Sequence, residues 1–371
     1  MDSLRVSFVS SHAKLGGSEW YLETLLEQLG HDWVAQVISL EEGPLAARFH
    51  GLGYPLEVIA TSGRLTGLLR SAWRLRRALL RARPAAVHAN GVKAALVAAL
   101  ATVGTPLPLI WVKHDFAWDG PLARAIVARC RLVVGVSRAV TGIFRGRLAR
   151  RVRVVYTGVE PPEVDRAEGR ATLLAALAAE EPTRVVGIVG RLNPVKGQHE
   201  LVELAPDLLR RLPNVRFALV GGGVPSFPEY ATGLRRRVAE LGIDDDVWLL
   251  GHRDDAFALI AGFDVVVITT LPRGRTRGGE GFGLVALEAL VAGTPVVGYD
   301  TGALREVVGE CGELVPPGDR AALVEALRHV LEEDAVRERM ASCGRNRAQT
   351  VFSLERWVEQ MKECYREAAH G

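Results

Sequence analysis

The chain has 371 residues, 48% hydrophobic and 24% charged, with 46 basic against 43 acidic residues and a formal net charge of +3. That length allows two or three domains with cores of their own in an ordinary soluble globular protein. The small charge excludes a dedicated nucleic-acid binder, and no apolar run approaches the ~20 residues needed to span a bilayer.

The first half alternates short β-branched runs with helical patterns, the mark of parallel α/β sheets. Strands are predicted at Arg5–Ser10, Val34–Leu40, Leu56–Ile59, Ala86–Ala89, Leu109–Lys113, Leu132–Val136 and Val152–Tyr156, with helices such as Ser18–Leu29, Thr66–Arg83 and Val92–Ala101 between them. The first strand opens into a turn holding Lys14 and the pair Gly16-Gly17 ahead of a helix, a place where backbone can approach a phosphate. It has neither dinucleotide-type glycine spacing nor a Walker lysine. Leu109–Lys113 ends in His114-Asp115 and Ala86–Ala89 in Asn90-Gly91, at the carboxyl edges where catalytic groups gather. His114 is read either as a structural hydrogen-bonding residue or as a catalytic one.

Tyr156–Glu163 carries two prolines and reads as a domain linker. The expected division is residues 1–160 and 161–352, with a terminal helix over 353–371 whose Trp357, Met361 and Tyr365 pack into the second domain or back onto the first. Alternation resumes at Arg184–Gly190 and continues through Val215–Val220, Val247–Leu250, Val265–Thr269, Pro295–Val297 and Glu313–Val315. Two doubly wound domains follow, with ligands expected at the carboxyl ends of their strands.

The second half holds the most informative motifs. Gly190-Arg191 and Lys196-Gly197 flank a strand-end loop that can aim two cations at a diphosphate. Lys196 is the only lysine between Lys113 and Lys362. The loop Gly251-His252-Arg253 could meet a base. Glu280 and Glu288 bracket Gly281-Phe282-Gly283-Leu284 and the start of an apolar helix. A helix start presents unpaired N–H groups to an anion, while carboxylates repel phosphate and suit hydroxyls. A ligand bearing both phosphate and hydroxyls is a nucleotide sugar. The plain alternative is a capped surface helix with two solvated acids.

In this order, Gly16-Gly17, His114-Asp115, Gly190-Arg191 with Lys196-Gly197, and the Glu-x7-Glu pair resemble the retaining glycosyltransferases of the GT4 type. Gly302–Val307 and Gly312–Gly318 resemble the family's later loops, so the likeness covers nearly the whole chain. It implies the GT-B fold, an α/β architecture of two facing Rossmann-like domains with parallel sheets and an interdomain cleft. It also implies an enzyme that moves a hexose or N-acetylhexosamine from a nucleotide sugar, UDP-linked first and GDP-mannose second, to a hydroxyl acceptor.

By the same resemblance, Arg191 and Lys196 hold the diphosphate beside Gly190, helped by backbone amides at Gly281, Phe282, Gly283 and Leu284. Glu280 holds sugar hydroxyls and Glu288 ribose hydroxyls. Gly16 and Gly17 close on the diphosphate, and His114 lies near the donor sugar and the acceptor. The family implies a front-face route in which a donor phosphate oxygen takes the acceptor's proton. With no Asp-x-Asp motif near these elements, no metal or cofactor is expected. A sugar-nucleotide epimerase on the same scaffold, or a silent nucleotide-sugar-binding protein, are the other readings.

Further expectations concern the rest of the chain. Cys130, Cys311, Cys343 and Cys364 are widely spaced without a Cys-x-x-Cys pair, which points to a reduced, cytoplasmic setting without a zinc or redox site. The N-terminus enters a strand directly and shows no secretory signal. Arg70, Arg74, Arg77 and Arg81 form a basic face opposite Leu68, Leu69, Ala72, Leu75, Leu79 and Leu80, read as solvated or as a weak peripheral contact with an anionic leaflet. Arg273, Arg275 and Arg277 form a solvated loop or a lid meeting an anion. The acceptor, chosen by loops such as Gly63–Gly67 and Phe116–Pro121, is not legible.

Overall fold

The computed structural model describes residues 4–13, 16–62, 64–160, 165–272 and 279–370. Lys14, Gly63, the end of the expected linker and the Arg273–Arg277 loop lie outside them. The chain divides into two compact units, Met1–Gly158 with Leu354–Gly371, and Val159–Ser353.

The first unit is built on β1 (Val6–Ser10), β2 (Val34–Ser39), β3 (Leu56–Val58), β4 (Ala86–Asn90), β5 (Leu109–Lys113), β6 (Leu132–Gly135) and β7 (Val152–Val154). All pair in parallel, in the order β3-β2-β1-β4-β5-β6-β7. Every residue of β1, β4 and β5 is buried, as expected of a parallel sheet covered on both faces. One face packs Val9, Ile38, Val87 and Trp111 against the helices Leu65–Ala82 and Val92–Ala101. The C-terminal helix Leu354–His370 belongs to this unit. Its Trp357, Met361 and Tyr365 are 1%, 0% and 0% exposed. Tyr21 donates its hydroxyl to Met361 Sδ at 3.3 Å, and Tyr365 Oη lies 2.7 Å from His88 Nδ1.

The second unit contains β8 (Arg184–Val189), β9 (Val215–Val220), β10 (Val247–Gly251), β11 (Val265–Ile268), β12 (Val296–Tyr299) and β13 (Gly312–Val315), all parallel in the order β10-β9-β8-β11-β12-β13. Val186, Phe217, Leu219, Val267 and Val297 form its core with Leu201, Leu208, Leu323 and Leu327 from the helices. In each sheet the winding reverses once, between β1 and β4 and again between β8 and β11. At such a reversal the two flanking loops diverge and leave a crevice beyond the strands' carboxyl ends.

Two expectations are corrected. Cys311 and Cys343 form a disulfide, so cysteine spacing no longer supports a reduced setting. The partners stand 32 residues apart, just before β13 and in the helix Asp334–Val351, and only tertiary packing brings their Cα atoms to 5.2 Å. Cys130 and Cys364 stay free, and burial pushes both thiols up to about 12. On the helix Leu65–Ala82, Leu69 and Leu80, expected opposite the arginines, are 53% and 51% exposed on the same side as them. Among the described residues no helix is long and apolar enough to cross a membrane.

Candidate active site

The loop after β8 is held in one shape by short-range bonds. The Asn193 side chain accepts from the N–H groups of Val195 and Lys196, both at 3.0 Å, closing an Asx turn. Beyond β11, the Thr269 hydroxyl reaches the carbonyls of Lys196 and Gly197 at 3.1 and 2.8 Å, and Leu271 N–H donates to Val195 O at 3.0 Å. Gly197 makes this approach tolerable. Its φ is +75°, and a Cβ there would stand 2.1 Å from Thr269 O. The loops at the reversal between β8 and β11 are thereby stitched together.

Lys196 Nζ consequently donates to Glu280 Oε1 at 2.7 Å, although 84 residues separate them. The Thr270 hydroxyl donates to the same oxygen. Glu280 sits at the edge of β12's exit loop, bridged to Gly302, with Ala303 N–H donating to its carbonyl at 2.8 Å. A Cβ on Gly302 would lie 2.1 Å from that carbonyl, so this contact also demands glycine. Burial alone would raise the Glu280 carboxyl's pKa. The neighbouring Lys196 ammonium outweighs it, with help from Thr270, and holds the group below the ordinary carboxylate range. Glu280 is therefore an ionised carboxylate whose Oε2 has no donor among the described residues. Lys196 is about one-third exposed, with N–H donors to spare.

The helix Leu284–Ala292 begins at Gly283, which has no side chain to cap it, so its first amides lack intrahelical partners. Glu288 lies one turn inside. Its carboxyl is partly buried, has no hydrogen-bond or ion-pair partner among the described residues, and is pushed by burial up to about 7. Arg191 is exposed, and its guanidinium likewise has no partner among the described residues. Lys196, Glu280, Gly283 and Glu288 thus share the loops and helix start at one sheet edge.

The remaining donor-side residues are placed differently. Arg253 is engaged by Asp255 through Nε–Oδ1 at 2.7 Å and Nη2–Oδ2 at 2.5 Å, and exposed His252 lies 3.2 Å from Asp254. Phe282 is buried and packs edge-on against Phe352 at 5.9 Å, so its ring is not presented to a ligand. Gly190 leads out of β8, its N–H bonded to Val220 O at 2.9 Å.

In the first unit, Asn90 is the hub at the reversal between β1 and β4. Its Nδ2 donates to Ser18 O at 2.8 Å, and its carbonyl accepts from Ser11 Oγ at 2.6 Å. Its Oδ1 lies 2.6 Å from His114 Nε2. Since the amide nitrogen is already donating, Oδ1 is the acceptor, which assigns the His114 proton to Nε2 and leaves Nδ1 with a lone pair. Burial pushes the His114 pKa down to about 4, Asp115 opposing and Lys113 adding to the effect, so the ring is neutral at pH 7. Tyr21 packs edge-on against it at 4.8 Å. Gly16 precedes the helix Gly17–Leu29 as its N-cap, and Gly17 is exposed. Buried Lys113 pairs with Asp119 at 2.8 Å and anchors the loop after β5.

The motif reading did not single out Thr270, Asn193 or Asn90 as site residues. Asn90-Gly91 at a strand end carried a signal; Thr270 carried none, because its role exists only once the chain is folded.

Two doubly wound parallel sheets in one chain, with such polar clusters at their reversals, define a glycosyltransferase of the GT-B architecture. Residues 15–162 match the family described as Glycosyltransferase Family 4, and residues 170–347 match Glycosyl transferases group 1. The D-inositol 3-phosphate glycosyltransferase of Corynebacterium urealyticum is 30% identical over 339 residues, 86% of this chain and 73% of that protein. The phosphatidyl-myo-inositol mannosyltransferase of Mycobacterium leprae is 33% identical over 205 residues, 53% of this chain and 51% of that protein. Anabaena HepE, solved with UDP-glucose, superposes with a TM-score of 0.84 at 25% identity, over 98% of this chain and 99% of that one. The chain belongs to glycosyltransferase family 4.

Proposed function

We propose that the protein transfers a sugar from a nucleoside diphosphate sugar, UDP-linked in preference to GDP-linked, to a hydroxyl acceptor with retention at the anomeric carbon. The observation that carries this reading is the Lys196–Glu280 pair beside the Gly283 helix start. Cation and helix start suit a diphosphate, and the Glu280 carboxylate suits sugar hydroxyls. HepE, which is solved with UDP and with UDP-glucose, supports the choice of base.

In this reading Lys196 and Arg191 neutralise charge that grows on the departing diphosphate, assisted by the amides after Gly283. Glu280 orients the sugar through Oε2, and Glu288 receives the ribose hydroxyls. Glu280 is not assigned as a nucleophile: its Oε1 is held by Lys196 and Thr270, and its open Oε2 is committed to the sugar hydroxyls. The acceptor's proton passes to a donor phosphate oxygen as the glycosidic bond breaks, and no metal is required. His114, neutral with Nδ1 open, accepts a hydrogen bond from a sugar hydroxyl.

A thermal-shift panel of UDP-, GDP- and ADP-sugars tests the donor, since a ligand of the folded state raises its midpoint. UDP-sugars should give the largest shift. Lys196→Ala and Glu280→Gln should each lower turnover at least ~100-fold, in the range of losing one oriented electrostatic contact, while the fold persists. Near-wild-type rates in both would overturn the assignment. Conversion of donor alone to a new sugar nucleotide, followed by mass spectrometry and chromatography, would instead indicate epimerisation.

A further inference from the structure

The helix Leu65–Ala82 carries five arginines and no acidic residue. Its Leu65, Leu69, Trp73 and Leu80 are 71%, 53%, 56% and 51% exposed, while Leu75 and Leu79 on its other side fill the core. The first three recur every four residues and so line one outer stripe. Arg70 and Arg74 each stand one position after that repeat, and Arg77 and Arg81 continue it, so basic and apolar residues share the exposed side. Arg77 lies over the Trp73 ring at 4.8 Å, and Arg81 alone of these four meets a carboxylate among the described residues, that of Glu57 at 2.8 Å.

The patch extends beyond the helix. Arg76 donates to Val103 O at 2.6 Å, and Val103 is itself 57% exposed. Of the seven large apolar side chains exposed among the described residues, five therefore lie on this helix or on the residue tied to it. Thr105, two residues further on, begins the lining of a hollow of about 630 Å³ that also holds Arg129, Arg131, Arg150 and Arg151. Arg129 and Arg151 are fixed on main-chain carbonyls, whereas the guanidinium groups of Arg131 and Arg150 have no partner among the described residues. An apolar stripe bordered by arginines of which, among the described residues, only Arg81 meets a carboxylate matches neither bulk water nor an uncharged protein surface. It matches a boundary that is apolar below and anionic above.

We propose that this face docks on an anionic lipid bilayer. Leu65, Leu69, Trp73 and Leu80 enter the headgroup–acyl boundary, and the arginines meet lipid phosphates. The helix starts beyond the carboxyl end of β3, so its Leu65 end lies at the same sheet edge as Asn90 and His114. Docking would thus bring that edge to the membrane, within reach of an amphiphilic hydroxyl acceptor. The proposal rests on this helix and not on the donor assignment.

Flotation of the full chain with vesicles tests it, using phosphatidylcholine alone and phosphatidylcholine mixed with phosphatidylglycerol. The protein should float with the acidic mixture, more weakly at high salt, and not with phosphatidylcholine alone. Each arginine changed to glutamine should lower partitioning about fivefold, so Arg70→Gln/Arg74→Gln/Arg77→Gln should lower it on the order of 100-fold. Leu69→Ser/Trp73→Ser should abolish flotation with an unchanged thermal midpoint, because both side chains are already in solvent. No binding to acidic vesicles at low salt would overturn the proposal. So would self-association of the wild type that Leu69→Ser/Trp73→Ser abolishes, since the stripe would then be a protein interface.

Discussion

Single residues set the site through contacts that tolerate no extra atom. Gly302 holds the Glu280 carbonyl so closely that a methyl group would displace it, and its φ of +59° is strained for any side chain. Gly302→Ala should therefore cost roughly 1–3 kcal/mol, seen as a lower thermal midpoint. It should also lose turnover as severely as Glu280→Gln, because it moves that carboxylate. A stable, fully active Gly302→Ala would show that the position of Glu280 is immaterial. The candidate site residues could be named from the sequence because their chemistry is intrinsic: one isolated lysine, two glutamates with seven residues between them, a histidine at a strand end. What could not be read was their pairing. Thr270 meets Glu280, and Asn90 fixes the His114 tautomer, only through the arrangement of neighbouring strand ends.

At the scale of elements, strands and helices followed from hydrophobic alternation, since a parallel sheet buries both faces and leaves near-continuous apolar runs. The final helix was harder. Its Trp357, Met361 and Tyr365 stripe was legible as packing, but the surface it covers was not, because a stripe does not encode its partner. It lies against Tyr21 and His88 in the first unit. Burying those three side chains contributes roughly 1.5–3 kcal/mol each, comparable in sum with a typical domain's whole stability. Truncation after Ser353 should accordingly unfold the first unit, seen as loss of its near-ultraviolet circular dichroism and of one calorimetric transition. The helix Leu65–Ala82 shows the reverse limit. Its arginines read as one face opposite the leucines, yet Leu69 and Leu80 share the solvent side with them. With apolar residues on several sides, periodicity alone cannot choose which side is buried.

For the whole molecule, the two units should respond to pH with opposite sign. His88 and His114 are held by burial at about 3 and about 4, below the free-imidazole value. Their depressed values contribute stability above the unfolded pKa of 6.5 and lose it as pH falls towards the folded values. Glu288, raised to about 7, contributes stability fully below the unfolded carboxyl value and loses it as pH rises through 7. Between pH 7.5 and 5, calorimetry should show the first unit's transition falling and the second's rising, each by about 2 kcal/mol per group. Glu288→Gln should abolish the rise and leave the fall. A saturating nucleoside diphosphate sugar, at about 100 times its Kd, should add about 2.7 kcal/mol to the second unit, a shift of roughly 5–10 °C.

Sequence alone determined that this chain forms two parallel α/β sheets and resembles the GT4-type glycosyltransferases, because periodicity, strand-end position and residue chemistry are local properties. Tertiary structure decided the rest: the Lys196–Glu280 pair, the tautomer of His114, the Cys311–Cys343 bond and the outward face of Leu65–Ala82. Each joins groups distant along the chain, or selects one of several equally apolar surfaces. Such choices are made by the simultaneous packing of all elements, which no short stretch of residues contains.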